Sequence, residues 1–187
     1  LAIFVVGMPF RKQAFAAKFL PAEIEPGLAE QANYKQEAYT FPNGCHVAEV
    51  EIDPETGETE IVSYVACDDV GNIINHQVVE GQMQGGVTQG AGHIFGEQAV
   101  YDPDTAQLLS GSFMDYAMPR AGLVGGLRVI DHAVPTATNP LGAKGVGEGG
   151  VTGSMPCLMN AVMDALRQAG VKRFDMPASP QRVWAAL

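Results

Sequence analysis

Nine residues near the end of the chain hold its most reactive-looking stretch. Gly142-Ala143-Lys144-Gly145-Val146-Gly147-Glu148-Gly149-Gly150 contains five glycines around one carboxylate. Backbone without side chains can turn its N–H groups toward an anion, phosphate above all. Glu148 has small neighbours, and the nearest opposite charge is Lys144, four positions earlier. A carboxylate so placed suits a general base in a pocket. The plainer alternative is a solvated loop glutamate. The spacing is not that of a P-loop, and Gly145-x-Gly147-x-x-Gly150 meets the dinucleotide pattern only loosely, with no clear strand before it.

A second segment, residues 77–99, has helical apolar spacing (Val78, Met83, Val87, Ala91, Ile94) yet carries glycine at 81, 85, 86, 90, 92 and 96. Each glycine inside a helix costs about 0.8–1 kcal/mol relative to alanine. Together they forfeit roughly 5 kcal/mol, comparable with the net stability of a domain. Something must therefore approach this helix too closely for a Cβ. It is either another backbone or a ligand, and the sequence leaves both open.

The other candidates for chemistry are few. Cys45, Cys67 and Cys157 are dispersed and form no C-x-x-C, so no zinc site or iron–sulfur cluster is expected from this chain. They read as small buried hydrophobes in a reducing compartment, which points to the cytoplasm. His46, His76, His93 and His132 show no ligand spacing and read as structural or solvated. No metal-ligating residue is predicted.

Elements must position the two glycine-rich stretches. Pro9 and the apolar spacing predict a helix over 9–20, ended by Pro21, with an irregular polar connector to about residue 40. Alternation in CHVAEVEID, the turn Pro54–Glu58 with Gly57, and TEIVSYVACDD predict a hairpin over 45–69. After the glycine-rich helix, 100–109 reads as a second hairpin and 127–134 as a further short strand. Residues 135–156 read as a long loop. A helix over 155–169 follows, ended by Gly170. A last short helix over 181–187 is capped by Ser179 with Pro180 at its first position. The expected fold is α+β, with mostly antiparallel hairpins packed on the long glycine-rich helix and a C-terminal helix.

Composition narrows the function classes. The chain has 187 residues, 47% of them apolar and 17% charged, which suits a packed domain rather than a disordered chain. Its net charge of −10 repels phosphate backbones, so no nucleic-acid partner is expected. No apolar run reaches the length of a membrane span.

The motifs together carry a resemblance. NPLGAKGVGE (139–148) resembles a signature near the C-terminus of the molybdenum hydroxylase large subunit, the xanthine dehydrogenase/aldehyde oxidase family, in its carbon monoxide dehydrogenase large-chain branch. DDVGNIIN (68–75) resembles the family's DDVGRVIN. VEGQMQGGVTQGAGHIFGEQAVYD (79–102), GSFMDYAMPRA (111–121) and MPASPQRVW (176–184) resemble further family segments, in order and at family spacing. His76 stands where the family has proline, and Gln84 where it has histidine.

The resemblance implies that residues 41–187 are the second molybdopterin-binding domain of a longer or split large subunit, with 1–40 as an N-terminal helix and connector. It implies Glu148 as the catalytic base beside the metal. It implies contact of Gln82, Gly85, Gly86, Gln89, Lys144, Gly145, Val146 and Gly147 with a molybdenum-bearing molybdopterin cytosine dinucleotide. The expected partners are the rest of the large subunit, an iron–sulfur subunit with its 2Fe-2S centres and a flavin subunit with FAD. The expected substrate is a small molecule: an aldehyde, an N-heterocycle or carbon monoxide. The competing reading is a non-catalytic molybdopterin-binding or subunit-assembly module.

One expectation needs only the isolated chain. A site assembled from several segments needs all its walls to orient reactants and exclude water. Purified alone, the chain should oxidise none of aldehydes, purines or carbon monoxide when an artificial electron acceptor is supplied. It should also self-associate through exposed apolar surface. Molybdenum-dependent turnover with no partner present would show that the chain holds a whole site.

Overall fold

The computed structural model describes residues 31–35 and 38–187. The chain divides into two compact units, Leu1–Lys35 and Gln36–Leu187. Among the described residues, three strands and three helices belong to the second unit. The helix expected over 9–20 lies outside the described residues.

Strand β1 (Asn43–Ile52) pairs antiparallel with β2 (Thr59–Asp69). The Asp53 carboxylate builds the turn between them, accepting from Glu55 N at 2.8 Å and Thr56 Oγ1 at 2.9 Å. Gly57 supplies the left-handed residue, with φ 74°. Helix α1 (His76–Phe95) begins at Asn75, whose Oδ1 accepts from Val78 N at 3.1 Å, an N-cap of the usual kind.

The chain then enters β3 (Leu127–Asp131), which runs parallel to β2, giving a mixed sheet in the order β1-β2-β3. The α+β class holds and β1–β2 is the expected antiparallel hairpin, while β3 departs from the expected pattern by joining the sheet in parallel. A parallel partner needs a crossover of a dozen residues or more, usually helical, and α1 lies in that crossover. Residues 100–109 form a minimal version of the expected second hairpin, with one antiparallel bridge, Tyr101 to Leu108, flanked by bonds from Asp102 N to Gln107 O at 2.9 Å and from Leu109 N to Val100 O at 2.7 Å. The Asp102 carboxylate collects Asp104 N and Thr105 N, a local side-chain turn that closes the loop between the two arms.

Helix α2 (Gly149–Gln168) starts six residues before the expected Met155 and holds Pro156 inside it. The early start is a tertiary effect. Gly150 lies against Met83 and Gly86 of α1, where a Cβ would meet Met83 O at 2.7 Å. That contact keeps a glycine pair helical against its propensity. Helix α3 (Pro180–Ala186) has Pro180 in its first turn, but the Ser179 side chain makes no capping bond, contrary to expectation.

The core joins Tyr64 and Ala66 of β2, Met83, Val87 and Ile94 of α1, and Leu158, Val162 and Leu166 of α2. The buried residues of α2 recur at every fourth position, from Gly150 through Ser154, Leu158 and Val162 to Leu166. Such an i±4 row is a ridge that seats in the groove of a neighbouring helix.

The segment read as a loop from 135 is ordered up to the start of α2. Asp69, buried at the end of β2, accepts from Lys144 Nζ at 2.5 Å, from Gly71 N and Val134 N at 2.9 Å each, and from Asn43 Nδ2 at 3.3 Å. Lys144 N donates to Val70 O at 2.8 Å. Gly142, at φ 64°, turns its carbonyl to accept from Asn72 N at 3.0 Å and Thr136 N at 3.1 Å. Asn139 closes the turn from inside, donating to Ala143 O at 2.9 Å and accepting from Ala143 N at 3.2 Å.

The Lys144 ammonium, followed by the Val134 and Gly71 N–H groups, holds the Asp69 carboxyl well below the usual carboxylate range. A depressed native value means that Asp69 stabilises the fold fully above its ordinary value of about 4 and loses that effect as pH falls below it. Asp69→Asn should therefore unfold at lower urea than wild type at pH 7, with the gap narrowing at pH 3. An equal gap at both pH values would show that the carboxylate charge contributes nothing.

Candidate functional site

The six glycines of the α1 segment fall into distinct groups. Gly86 and Gly90 are buried against α2. A Cβ at Gly86 would lie 2.8 Å from Val151 N and 2.9 Å from Gly150 Cα, and one at Gly90 would overlap the Ser154 hydroxyl. Gly92 and Gly96 face the loop after residue 111, against Pro119 and Ala117 respectively. Gly81 and Gly85 are different. Both are exposed, and a Cβ at either would meet nothing within 4 Å. Neither packing by the described residues nor a left-handed φ requires glycine there.

Gly85 shares its face of α1 with Gln82 and Gln89, also exposed, as the spacing i, i+3, i+7 dictates. This face points away from the buried row Met83, Val87 and Ile94. Val78, 55% exposed, adds a bulky apolar side chain to it.

The loop before α2 alternates. Lys144 turns inward to Asp69, its side chain 11% exposed. Val146 is half-buried and packs on the core. Gly145 and Gly147 are exposed, and a Cβ on either would meet nothing within 4 Å. Glu148 is exposed at the N-cap of α2 and makes no capping bond there. Lys144, the charge that seemed available to it in sequence, is committed to Asp69 instead. The two glycines after Glu148 touch α1, Gly150 as described and Gly149 beside Met83, where a Cβ would lie 3.5 Å from Sδ. The loop that carries Glu148 thus ends against the N-terminal half of α1.

The sequence-predicted residues therefore divide. Gln82, Gly85, Gln89, Gly145, Gly147 and Glu148 are exposed. Gly86, Lys144 and Val146 support that surface from behind through Gly150, Asp69 and the core. Four surface glycines, Gly81 and Gly85 of α1 and Gly145 and Gly147 of the loop, have absent side chains that no described residue would meet, and they offer a cradle in which a flat or anionic ligand could lie on bare backbone.

Behind the cradle is a small cavity of about 190 Å³, lined among others by His46, Asp68, Met83, Val146, Gly149 and Gly153. His46 is buried, with Nδ1 2.7 Å from Tyr64 Oη and Nε2 3.0 Å from Asp68 Oδ2. Its ring takes the space that a Cβ on Gly153 would need. Burial, and then the neighbouring Cys157, push the Tyr64 hydroxyl above its ordinary value, so it stays neutral beside the ring. Sequence reasoning placed His46 correctly as structural but missed Asp69 and Asn139, the residues that hold the loop. The paired acids Asp68-Asp69 at the end of a strand were the available signal. A larger cavity of about 730 Å³, lined by Phe113, Met118 and Arg120 among others, includes none of the predicted site residues. Among the described residues no cluster of three or more His, Cys, Asp or Glu could hold a metal ion. No described helix is long and apolar enough to cross a membrane.

Comparison with known proteins bears on this geometry. The molybdopterin cofactor-binding domain family matches residues 4–124. The carbon monoxide dehydrogenase large chain of Hydrogenophaga pseudoflava is 40% identical over 167 residues, which is 89% of this chain and 21% of that protein. The nicotine 6-hydroxylase large subunit of Paenarthrobacter nicotinovorans is 36% identical, over 87% of this chain and 20% of its own length. Among solved structures, a Cu,Mo-CO dehydrogenase in its carbon monoxide reduced state superposes with a TM-score of 0.83 at 33% identity, over 92% of this chain and 22% of that one. Quinoline 2-oxidoreductase from Pseudomonas putida 86 gives a TM-score of 0.81 at 33% identity, over 96% of this chain and 23% of that one. The chain spans about a fifth of the length of the curated relatives it matches.

The split between the glycines can be measured as stability. Gly86→Ala and Gly90→Ala should each destabilise the chain by about 1–3 kcal/mol, the range for overpacking a tight contact. Gly81→Ala and Gly85→Ala should leave stability unchanged or raise it by up to about 1 kcal/mol. Thermal or urea unfolding of the four variants checks this, and equal losses at all four positions would contradict the division.

Proposed function

The chain belongs to the molybdopterin cofactor-binding domain family, and from that premise we propose that it is the cofactor-binding, base-bearing portion of a molybdenum-dependent hydroxylase or dehydrogenase. The proposed substrate is an aldehyde, an N-heterocycle or carbon monoxide. The observation that carries this reading is an exposed Glu148 together with four glycines, Gly81, Gly85, Gly145 and Gly147, whose missing side chains no described residue would meet.

The residues fit such a cofactor. Bare backbone at Gly81, Gly85, Gly145 and Gly147 admits a broad ring system or a diphosphate where a Cβ would obstruct it. Gln82 and Gln89 offer amide donors and acceptors on the same face of α1. The start of α2 adds the positive end of a helix dipole, suited to phosphate. We assign to this surface a molybdopterin in its cytosine dinucleotide form. When bound, the cofactor supplies the metal centre that takes up electrons from the substrate.

The chain's own part is proton transfer and positioning. The Glu148 carboxylate accepts the proton released as the substrate is oxidised, which is the work of a general base. Its freedom to do so rests on Lys144 being bound to Asp69, because a neutralised carboxylate is a poorer base. Val146 anchors the loop in the core, and Gly149-Gly150 fix its exit against α1. The remaining walls of the site belong to the rest of a large subunit. An iron–sulfur subunit with 2Fe-2S centres and a flavin subunit with FAD would carry the electrons away. The three free cysteines of the chain suit a cytoplasmic setting.

The test uses the complete enzyme. Glu148→Gln should retain molybdenum and lose about 10²–10⁴ of kcat, the usual contribution of a positioned base. Gly85→Ala in the same enzyme should lower molybdenum content without lowering stability. Turnover of Glu148→Gln within threefold of wild type would remove the base assignment and favour the non-catalytic binding module.

A further inference from the structure

The hairpin brings two cysteines together that lie 22 positions apart in sequence. Cys45 of β1 and Cys67 of β2 are direct partners in the ladder, in a register that runs unbroken from Asn43↔Asp69 to Glu49↔Ser63. Directly opposed residues of an antiparallel pair have Cα atoms about 4.5 or 5.5 Å apart. Both values lie inside the range of about 4.4–6.8 Å that a disulfide needs. Opposed residues also point to the same face of the sheet. That face is the outer one, because His46 and Ala66, the next pair along, turn inward to the Asp68 contact and the core. Both thiols are free, Cys45 exposed and Cys67 half-buried. Neither has a part in the cofactor surface.

We propose that Cys45 and Cys67 form a cross-strand dithiol site that small-molecule disulfides oxidise to an intrachain disulfide. The chemistry is thiol–disulfide exchange. The exposed Cys45 thiolate attacks one sulfur of a low-molecular-weight disulfide, forming a mixed disulfide and releasing one small thiolate. The Cys67 thiolate then attacks the Cys45 sulfur, and the second small thiolate leaves. Two cysteine thiols are oxidised, one small disulfide is reduced to two thiols, and the protons of the two cysteines pass to the released thiolates. Closure ties β1 to β2 beside His46 and Asp68, the residues that wall the cavity behind the glycine cradle. Cys157 lies on α2 beside the Tyr64 hydroxyl, near enough to Cys45 to interact with it electrostatically, so Cys157→Ser tests whether it takes part.

The experiment treats the intact enzyme with oxidised glutathione, blocks the remaining thiols under denaturing conditions, and cleaves after glutamate. Such cleavage separates Cys45 from Cys67 at Glu49 and Glu60. The expected product is a Cys45–Cys67 linked peptide in wild type and in Cys157→Ser, abolished by dithiothreitol and absent from Cys45→Ser and Cys67→Ser. Phenylarsine oxide, which bridges two neighbouring thiols, should protect both cysteines from alkylation in wild type and neither in the single variants. A stable mixed disulfide at Cys45 with no linked peptide would overturn the proposal. So would a failure of both reagents to react at these positions in the assembled enzyme.

Discussion

One buried carboxylate holds the loop that carries the candidate base. Asp69 ends the central strand and receives an ammonium, two backbone N–H groups and an amide from four separate parts of the chain. A charged group inside a protein is costly unless its partners are all present. That cost becomes a constraint, because any displacement of the segment around Lys144 would strand one charge or the other. The glycine-rich run, which in isolation should be mobile, is thereby given a fixed place. The Asn139 side chain and the Gly142 carbonyl complete the arrangement by satisfying the turn from within.

The second constraint is the contact between the two long helices. It is made by small residues, Gly86 and Gly90 on one side and Gly150 and Ser154 on the other. Small residues let backbones approach closely, and close approach increases the number of dispersion contacts per unit length. The contact also decides where the second helix begins. Gly149 and Gly150 are poor helix formers and Pro156 is worse, yet the helix runs through all of them. Its first turn is held against α1, and Glu148 is consequently left at its N-cap.

These two constraints act on opposite sides of a short segment and leave its outward side bare. Inward-facing Lys144 and Val146 supply the attachment, while outward-facing Gly145, Gly147 and Glu148 form the surface. Chemistry and support are thus separated residue by residue. Electrostatics follows the same division, since the Lys144 charge is spent on Asp69 and is withheld from Glu148. The sheet contributes from behind, where His46 fills the space beside Gly153 and is itself held between Tyr64 and Asp68.

Glu148 as the odd carboxylate in a glycine run, the first hairpin and the helical periods of the later segments were all legible in the residues. Each depends on local spacing: alternation for strands, a 3.6-residue repeat for helices, and a charge without a neighbour for the candidate base. The cost of six glycines in one helix was equally plain from propensity alone. Their purpose was not. Gly86 and Gly85 are adjacent and chemically identical, and only the tertiary fold places one against α2 and the other against open space. The same holds for Lys144, whose nearest opposite charge in sequence is Glu148 and in space Asp69, 75 positions away. The parallel entry of β3, the early start of α2 and the Asp69 clamp also needed the folded chain. Each is a contact between segments far apart in sequence, and no local preference for spacing or conformation encodes which distant partner a residue will meet.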